Sequence, residues 1–415
     1  MFMVLRSALL CTAATMAFVL PANAGFKTLV TLKGSNGYDV GPPMIQGSDG
    51  DIYGTTDYGG PNDEGVIYRL TPNGKYKVIY DFCSQNDCTD GATGEWLTQG
   101  SDGNFYGQTL AGGNAGQGTI FEITPGGKFT SLYSYCQQQN CTDGAFPVSP
   151  LLQVSDGSFR GTTGEGGANN KGTIFKFVPG SAPQILYSFC AQAGCSDGAS
   201  PFSGLVLASD GNFYGETSEG GSDGTYCGLS GYGCGTIFRL TPSGKFTTIY
   251  TFCTQSGCKD GALPQGQLIQ AKDGNIYGTT DAGGAEQYGG YGQGTVFRIS
   301  LKGKLTTVYT FCPGESCTDG DTPYAGVIQA TDGNFYGTTA LGGPNAWGAV
   351  YRLTPKGQET VIYSVNQADG EDIGASLLQA SNGMLYGGTI EGGGTSCGND
   401  SGCGVIFRGP LKGGK

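Results

Sequence analysis

The sequence predicts an all-β fold: a seven-bladed β-propeller with four antiparallel strands per blade. Three observations carry this. A motif of the form Ser-Asp-Gly-Asn-Phe-Tyr-Gly-x-Thr recurs seven times, with its Asp or Asn at Asp49, Asp102, Asp156, Asp210, Asp273, Asp332 and Asn382. Each copy holds four short β-rich runs separated by turn chemistry. The last copy lacks its fourth run, and the N-terminal region holds a spare one.

The elements follow in chain order. Residues 1–24 read as a signal peptide: one positive charge at Arg6, an apolar stretch over 7–20, then Ala22-Asn23-Ala24 as a small-x-small cleavage pattern. Residues 25–415 then form a single seven-repeat domain. Residues 27–32, Lys-Thr-Leu-Val-Thr-Leu, align with a fourth strand of the repeat. The fourth copy shows the full unit. Strand a is expected over 204–208 and strand b over 213–217, joined by Asp210-Gly211, a pair that tolerates the positive φ of a tight hairpin. Strand c is expected over 236–241, stopped by Pro242, which cannot donate to a ladder. Strand d is expected over 247–252. No segment carries a helical period. The last copy stops after strand c, at 405–408, so residues 27–32 are expected to complete its blade and lock a ring. An open solenoid has no use for that arrangement and would need capping repeats. Seven units spaced 50 to 63 residues apart fit a propeller.

The string Ser-Asp-Gly-Asn-Phe-Tyr-Gly-Thr-Thr, then Gly-Gly, then Gly-Thr-Val-Phe-Arg-Leu-Thr-Pro-x-Gly, resembles the bacterial tandem repeat called GloVer. The resemblance covers nearly all of the chain after residue 24. It implies the repeat fold and export, and often a C-terminal sorting anchor. No anchor is expected here, because the segment from Gly409 to Lys415 has no apolar run. The resemblance implies no particular activity.

Composition excludes several functions. The formal charge is −12, from 22 Lys+Arg against 34 Asp+Glu, which opposes binding to phosphate backbones or anionic lipid. Beyond the leader no run of about 18 apolar residues exists, so no membrane insertion is expected. There is no histidine, which removes Ser-His-Asp and Cys-His catalysis and His-ligated zinc. No cofactor and no metal are expected: an Asp-x-Asp-x-Asp-Gly calcium loop is lacking, and the repeated Asp-Gly pairs read as turn chemistry. The protein is expected to be a monomer, secreted or periplasmic.

Of the 15 cysteines, Cys11 leaves with the leader and 14 remain. An even set in an exported chain reads as disulfides between near neighbours. The expected pairs are Cys83/Cys88, Cys136/Cys141, Cys190/Cys195, Cys253/Cys258 and Cys312/Cys317 before the upstream Asp-Gly, with Cys227/Cys234 and Cys397/Cys403 in b–c loops. In an antiparallel blade the a–b and c–d turns share one end of the strands, and the b–c and d–a loops share the other. All the cysteine pairs therefore lie on one face, opposite the Asp-Gly hairpins. Long reinforced loops on a rigid scaffold are where binding is expected.

The repeated Tyr53, Tyr106, Tyr214, Tyr277, Tyr336 and Tyr386 read as packing between blades. A basic position in strand c (Arg69, Lys176, Arg239, Arg298, Arg352, Arg408), with Glu122 as its acidic exception, reads as a structural partner. Departures from the repeat are freer to serve a ligand. Arg160 replaces the tyrosine, and Gln108 and Glu216 replace the first threonine. Acidic residues precede Gly-Gly at Asp57, Glu165, Glu219, Asp281 and Glu391. The expected function is a ligand-binding or scaffold module for a glycan or protein partner. Tyr226, Tyr232, Tyr288, Tyr291, Trp347 and Asp281 are the candidate binding residues. The alternative is a carboxylate-dependent enzyme acting on polysaccharide. No catalytic residue is assigned, and Glu165, Glu216 and Glu219 are the candidate carboxylates for such chemistry.

Overall fold

The computed structural model describes residues 25–41, 43–221, 233–284, 292–314, 316–394, 397 and 402–411. Seven antiparallel sheets follow one another in sequence order, each with its strands in the order a-b-c-d. Blade 1 comprises Ile45–Gln46, Ile52–Thr55, Val66–Leu70 and Tyr76–Asp81. Blade 5 carries an extra short strand, Ala262–Pro264, on the edge of its strand b. Blade 7 is made of Leu378–Gln379, Leu385–Gly388, Val405–Gly409 and, as its fourth strand, Lys27–Thr31.

The ring closes as the sequence requires. Lys27 pairs with Arg408, Thr28 with Phe407, Val30 with Ile406 and Thr31 with Val405, with a bulge between Thr28 and Val30. Phe26 stacks on Tyr363 of blade 6 at 4.7 Å. The first described strand therefore belongs to the last blade, and the residue before it packs on the neighbouring blade.

Burial follows strand position. Strands b and c are covered on both faces by adjacent blades, so they read as continuous apolar or small runs such as Val66-Ile-Tyr-Arg-Leu70. Strand d is the outer edge and is only half-buried. Strand a is shorter than expected: the fourth copy forms only Val206–Leu207 where 204–208 were predicted. The residues before it bond to the neighbouring blade instead.

Blade-to-blade packing repeats. Tyr53 packs on Phe105 at 4.2 Å, Tyr106 on Phe159 at 4.6 Å and Tyr277 on Phe335 at 4.2 Å. Each ring buried in this way contributes on the order of 1.5–3 kcal/mol. Arg160 takes the tyrosine's place and sets its guanidinium over Phe213 at 5.6 Å. Its departure from the repeat therefore serves the joint between blades 3 and 4. A second ring of contacts was not visible in the sequence. The strand-a glutamine of one blade accepts a backbone N–H from the preceding hairpin: Ser48 to Gln99, Ser101 to Gln153, Ser209 to Gln270, Lys272 to Gln329, Thr331 to Gln379 and Ser381 to Gln46. Leu207 interrupts this ring at the joint between blades 3 and 4.

The two sets of aspartates do different jobs. In the hairpins, Asp102 accepts the Asn104 N–H and the Tyr106 hydroxyl. The upstream set does more than turn the chain. Asp90 is fully buried, accepts the Tyr80 hydroxyl at 2.6 Å, and caps the backbone N–H groups of Ser84 and Gln85. It thereby fixes the loop that carries the cysteine pair.

Six of the predicted disulfides are formed among the described residues: Cys83–Cys88, Cys136–Cys141, Cys190–Cys195, Cys253–Cys258, Cys312–Cys317 and Cys397–Cys403. Cys234 is also disulfide-bonded, and Cys227 lies outside the described residues. No described helix is long and apolar enough to cross a membrane.

Candidate functional site

Each d–a loop enters the ring centre through one non-glycine residue held at positive φ. These are Asp39, Thr93, Phe146, Ser200, Leu263, Thr322 and Asp372, with φ between 51° and 63°. Such backbone costs on the order of 1–3 kcal/mol per residue and persists only where neighbours enforce it. Here they do. The Thr93 N–H donates to the Glu64 carbonyl of the preceding blade, and the Asp372 N–H to that of Trp347. On the other side, the Asp39 carbonyl accepts from Asp57, that of Thr322 from Ala340, and that of Asp372 from Ile390. The backbone is thus pinned, while the side chain at this position is free to vary. In blades 1 and 7 it is an aspartate.

These loops surround a cavity of about 580 Å³ at the mouth of the central channel, on the disulfide-bearing face. Asp39, Asp57, Glu95 and Asp372 supply its carboxylates, and among the described residues no lysine or arginine lines it. Trp96, Leu110, Val148, Phe202, Leu341 and Ile390 supply apolar wall, with Tyr324 at the rim. Phe202, Tyr324 and Leu341 are 41%, 49% and 49% exposed, so the rim presents apolar surface to solvent.

The carboxylates are held in an unfavourable setting. Burial, then Asp372 and Glu391, push Asp39 up to about 7. Burial, then the charge of Asp39, push Glu95 up to about 8. Asp57 lies well above the carboxylate range because it is enclosed and faces Glu95 and Asp39. Burial and Glu391 raise Asp372 to about 6. Buried oxygens of Asp39, Asp57 and Asp372 accept no hydrogen bond. The cluster therefore holds protons at neutral pH and has acceptor capacity that the protein leaves unused.

Tyr226, Tyr232, Tyr288 and Tyr291 lie outside the described residues. Trp347 is 42% exposed on the b–c loop of blade 6, where its carbonyl accepts the Asp372 N–H. Asp281 has a buried unpartnered oxygen and is raised to about 6 by burial and by Asp321. Glu165 is exposed and joins Ala145 in a backbone bridge. Glu219 is paired with Lys171 at 3.1 Å. Glu216 is fully buried, and burial pushes it well above the carboxylate range, opposed only by the Ser203 hydroxyl. None of these three glutamates lines the mouth.

Asp39, Glu95, Trp96, Phe202, Tyr324 and Asp372 were not singled out in the sequence. All sit just after the upstream Asp/Asn-Gly, where the copies differ most in residue type without differing much in length. That variability was the available signal. Asp57 was noted among the acids before Gly-Gly. It shares its channel-facing position with Leu110, Ala340 and Ile390 of blades 2, 6 and 7.

Among the described residues, the one group of three metal-type ligand atoms within 4.8 Å is Cys234, Cys253 and Cys258. All three are disulfide-bonded, so none offers a thiolate.

The fold is shared with several solved structures of low identity. A streptogramin B lyase is 16% identical over 92% of this chain and 96% of its own, with a TM-score of 0.57. A catalytically inactive histidine-to-alanine form of virginiamycin B lyase from Staphylococcus aureus, with quinupristin, is 14% identical over 93% and 99%, with a TM-score of 0.58. The extracellular domain of a hybrid two-component system protein from B. thetaiotaomicron is 13% identical over 94% of this chain and 41% of its own, with a TM-score of 0.57. At such identities the likeness establishes the propeller and nothing of the chemistry. No curated protein sequence matches the chain. The Gloeobacter/Verrucomicrobia repeat matches residues 12–228 and 287–415, most of the chain. The protein belongs to the Gloeobacter/Verrucomicrobia repeat family.

Proposed function

We propose that the protein is an exported ligand-binding propeller, and that its ligand, a glycan or a segment of a partner protein, seats in the central mouth. The observation that carries this is the cavity of about 580 Å³, which combines exposed apolar rim with unpartnered carboxylate oxygens. Apolar rings supply contact area, and a few convergent polar groups fix orientation, as in most small-ligand sites. The disulfides suit an oxidising compartment and hold the surrounding loops in shape before binding. The test is a glycan array with the purified chain, followed by calorimetry on Trp96→Ala and Phe202→Ala. Binding that survives both substitutions places the ligand elsewhere.

A second reading, a carboxylate-dependent enzyme acting on polysaccharide, is favoured by one observation. Asp39, Asp57 and Glu95 share a pocket and repel one another's ionisation, so protonated and ionised carboxyls can coexist there. Release of reducing ends from a polysaccharide panel, lost in Glu95→Gln, would favour it over simple binding. The histidine whose replacement inactivates the virginiamycin B lyase has no counterpart here, since the sequence contains no histidine.

A further inference from the structure

We infer that the mouth selects an organic cation, an ammonium or guanidinium group carried on an apolar frame. This rests on the reading of the mouth as a ligand site and names the ligand's chemistry.

Among the described residues four carboxylates line the cavity and no basic side chain does, although the chain holds 22 Lys+Arg. Elsewhere the protein spends its cations on its acids: Arg69 reaches Asp49 and Asp51, Lys176 reaches Asp156, and Lys171 reaches Glu219. In the mouth, buried oxygens of Asp39, Asp57 and Asp372 accept nothing. A buried acceptor without a donor is costly, and a charged donor relieves it most. A neutral saccharide would bring hydroxyl donors, but only a cation supplies the charge that lets these carboxyls ionise side by side.

The spacing argues against a divalent metal ion. Among the described residues no three carboxylates bring their oxygens within 4.8 Å of one another, so a compact oxygen shell is not formed. Acids spread around a mouth match a ligand whose N–H donors point in several directions. The wall matches the rest of such a ligand. Trp96, Phe202 and Tyr324 line it, and aromatic rings attract both apolar frames and cations. The net charge of −12 draws cations toward the molecule from a distance.

The chain has two tryptophans, Trp96 in the mouth and Trp347 outside it. A Trp347→Phe background therefore makes Trp96 the sole indole reporter. The probes are phenethylamine and hexane-1,6-diamine, with phenethyl alcohol and hexane-1,6-diol as neutral counterparts, and calcium chloride as the simple ion. At pH 8 and low salt, the amines should saturate a Trp96 fluorescence change at concentrations at least tenfold below those of the alcohols. Asp57→Asn and Asp39→Asn, made singly and together, should weaken amine binding tenfold or more, while Glu165→Gln, outside the cavity, leaves it unchanged. Melting curves of each variant establish that it is folded. The inference is overturned if alcohols match amines, if calcium competes at lower concentration than the amines, or if the folded double variant binds amines as its parent does. If neutral glycans bind with dependence on Trp96 while amines are silent, the cation reading fails and the ligand site stands. If neither class perturbs Trp96, both fail.

Discussion

Aspartates occur in the hairpins and around the mouth of this propeller, and the two places treat them in opposite ways. On the hairpin face they are satisfied. Burial opposes ionisation of Asp210 and Asp273, yet hydrogen bonds from Asn212 and Tyr214, and from Asn275 and Tyr277, outweigh it, so both are held below the usual carboxylate range. Asp156 is driven down by Ser158 and Lys176. At the mouth, Asp39, Asp57 and Asp372 lie above that range, because burial and like charge meet few donors. The same residue type is scaffold where its donors are built in and a ligand group where they are missing. A count of aspartates cannot separate the two roles, whereas their hydrogen bonds can.

The comparison can be broken first at the ring itself, which brings the mouth's loops together. Deleting residues 25–32 removes the fourth strand of blade 7 and exposes the edge of Val405–Gly409. A loss of cooperative melting, or a drop in melting temperature of more than about 10 °C, is expected. Next in size is the hairpin face. Asp102→Ala strips the Asn104 N–H and the Tyr106 hydroxyl of their acceptor, and urea unfolding should show a loss of about 2–3 kcal/mol.

The third test concerns pH. Asp39 and Glu95, near 7 and 8 in the fold, face Asp57, Asp372 and Glu391, with Tyr324 at the rim. Unfolded carboxyls ionise near 4. Between those values the native state binds more protons than the unfolded chain, so stability falls as pH rises from about 4 through 8. The melting temperature should drop between pH 5 and pH 8, and Asp57→Asn with Glu95→Gln should flatten that drop. A profile that rises over this window would contradict the assignment of unsatisfied acids to the mouth.

The smallest effect sharpens the contrast inside a single repeat position. Thr162, Thr279 and Thr338 donate to the backbone of the next blade at Ser203, Ala325 and Ala375. Gln108 does the same to Ser149 and also accepts the Tyr135 hydroxyl. Glu216 stands in that row with only the Ser203 hydroxyl to offset its burial, and Phe252 offers no hydroxyl where blade 2 has Tyr135. Glu216→Thr should therefore raise stability by about 1 kcal/mol, with more gain at pH 8 than at pH 5. Calorimetric melting at the two values checks it.

The fold was legible because its signals are local and repeated. Asp-Gly hairpins, Pro-ended strands and the spare strand at 27–32 each restate the same architecture, and seven copies average out irregularities. The family followed from the same strings. Of the candidate site the sequence pointed to the loop-bearing face and to few of the residues that line the cavity. Asp57 and Asp281 stood out beside Gly-Gly, but Asp39, Glu95 and Asp372 gather only when seven loops converge on one axis. Sequence distance hides that convergence: Asp39 and Asp372 sit at opposite ends of the chain yet in neighbouring blades. Glu216, Glu165 and Glu219 were conspicuous as departures from the repeat, but Glu216 is buried, Glu165 is exposed and Glu219 is ion-paired, all away from the cavity lining.

The joint between blades 3 and 4 differs from its neighbours in kind. Leu207 removes the glutamine link, Arg160 replaces the tyrosine stack, and Lys171 and Glu219 span the gap as an ion pair. Neutral hydrogen bonds and ring stacks are nearly indifferent to ionic strength, whereas partly exposed ion pairs weaken as salt screens them. A circle has no natural first point of failure, but this one carries a seam whose strength tracks the salinity of its surroundings. In brine the ring should begin to breathe between blades 3 and 4, away from the strand that closes it.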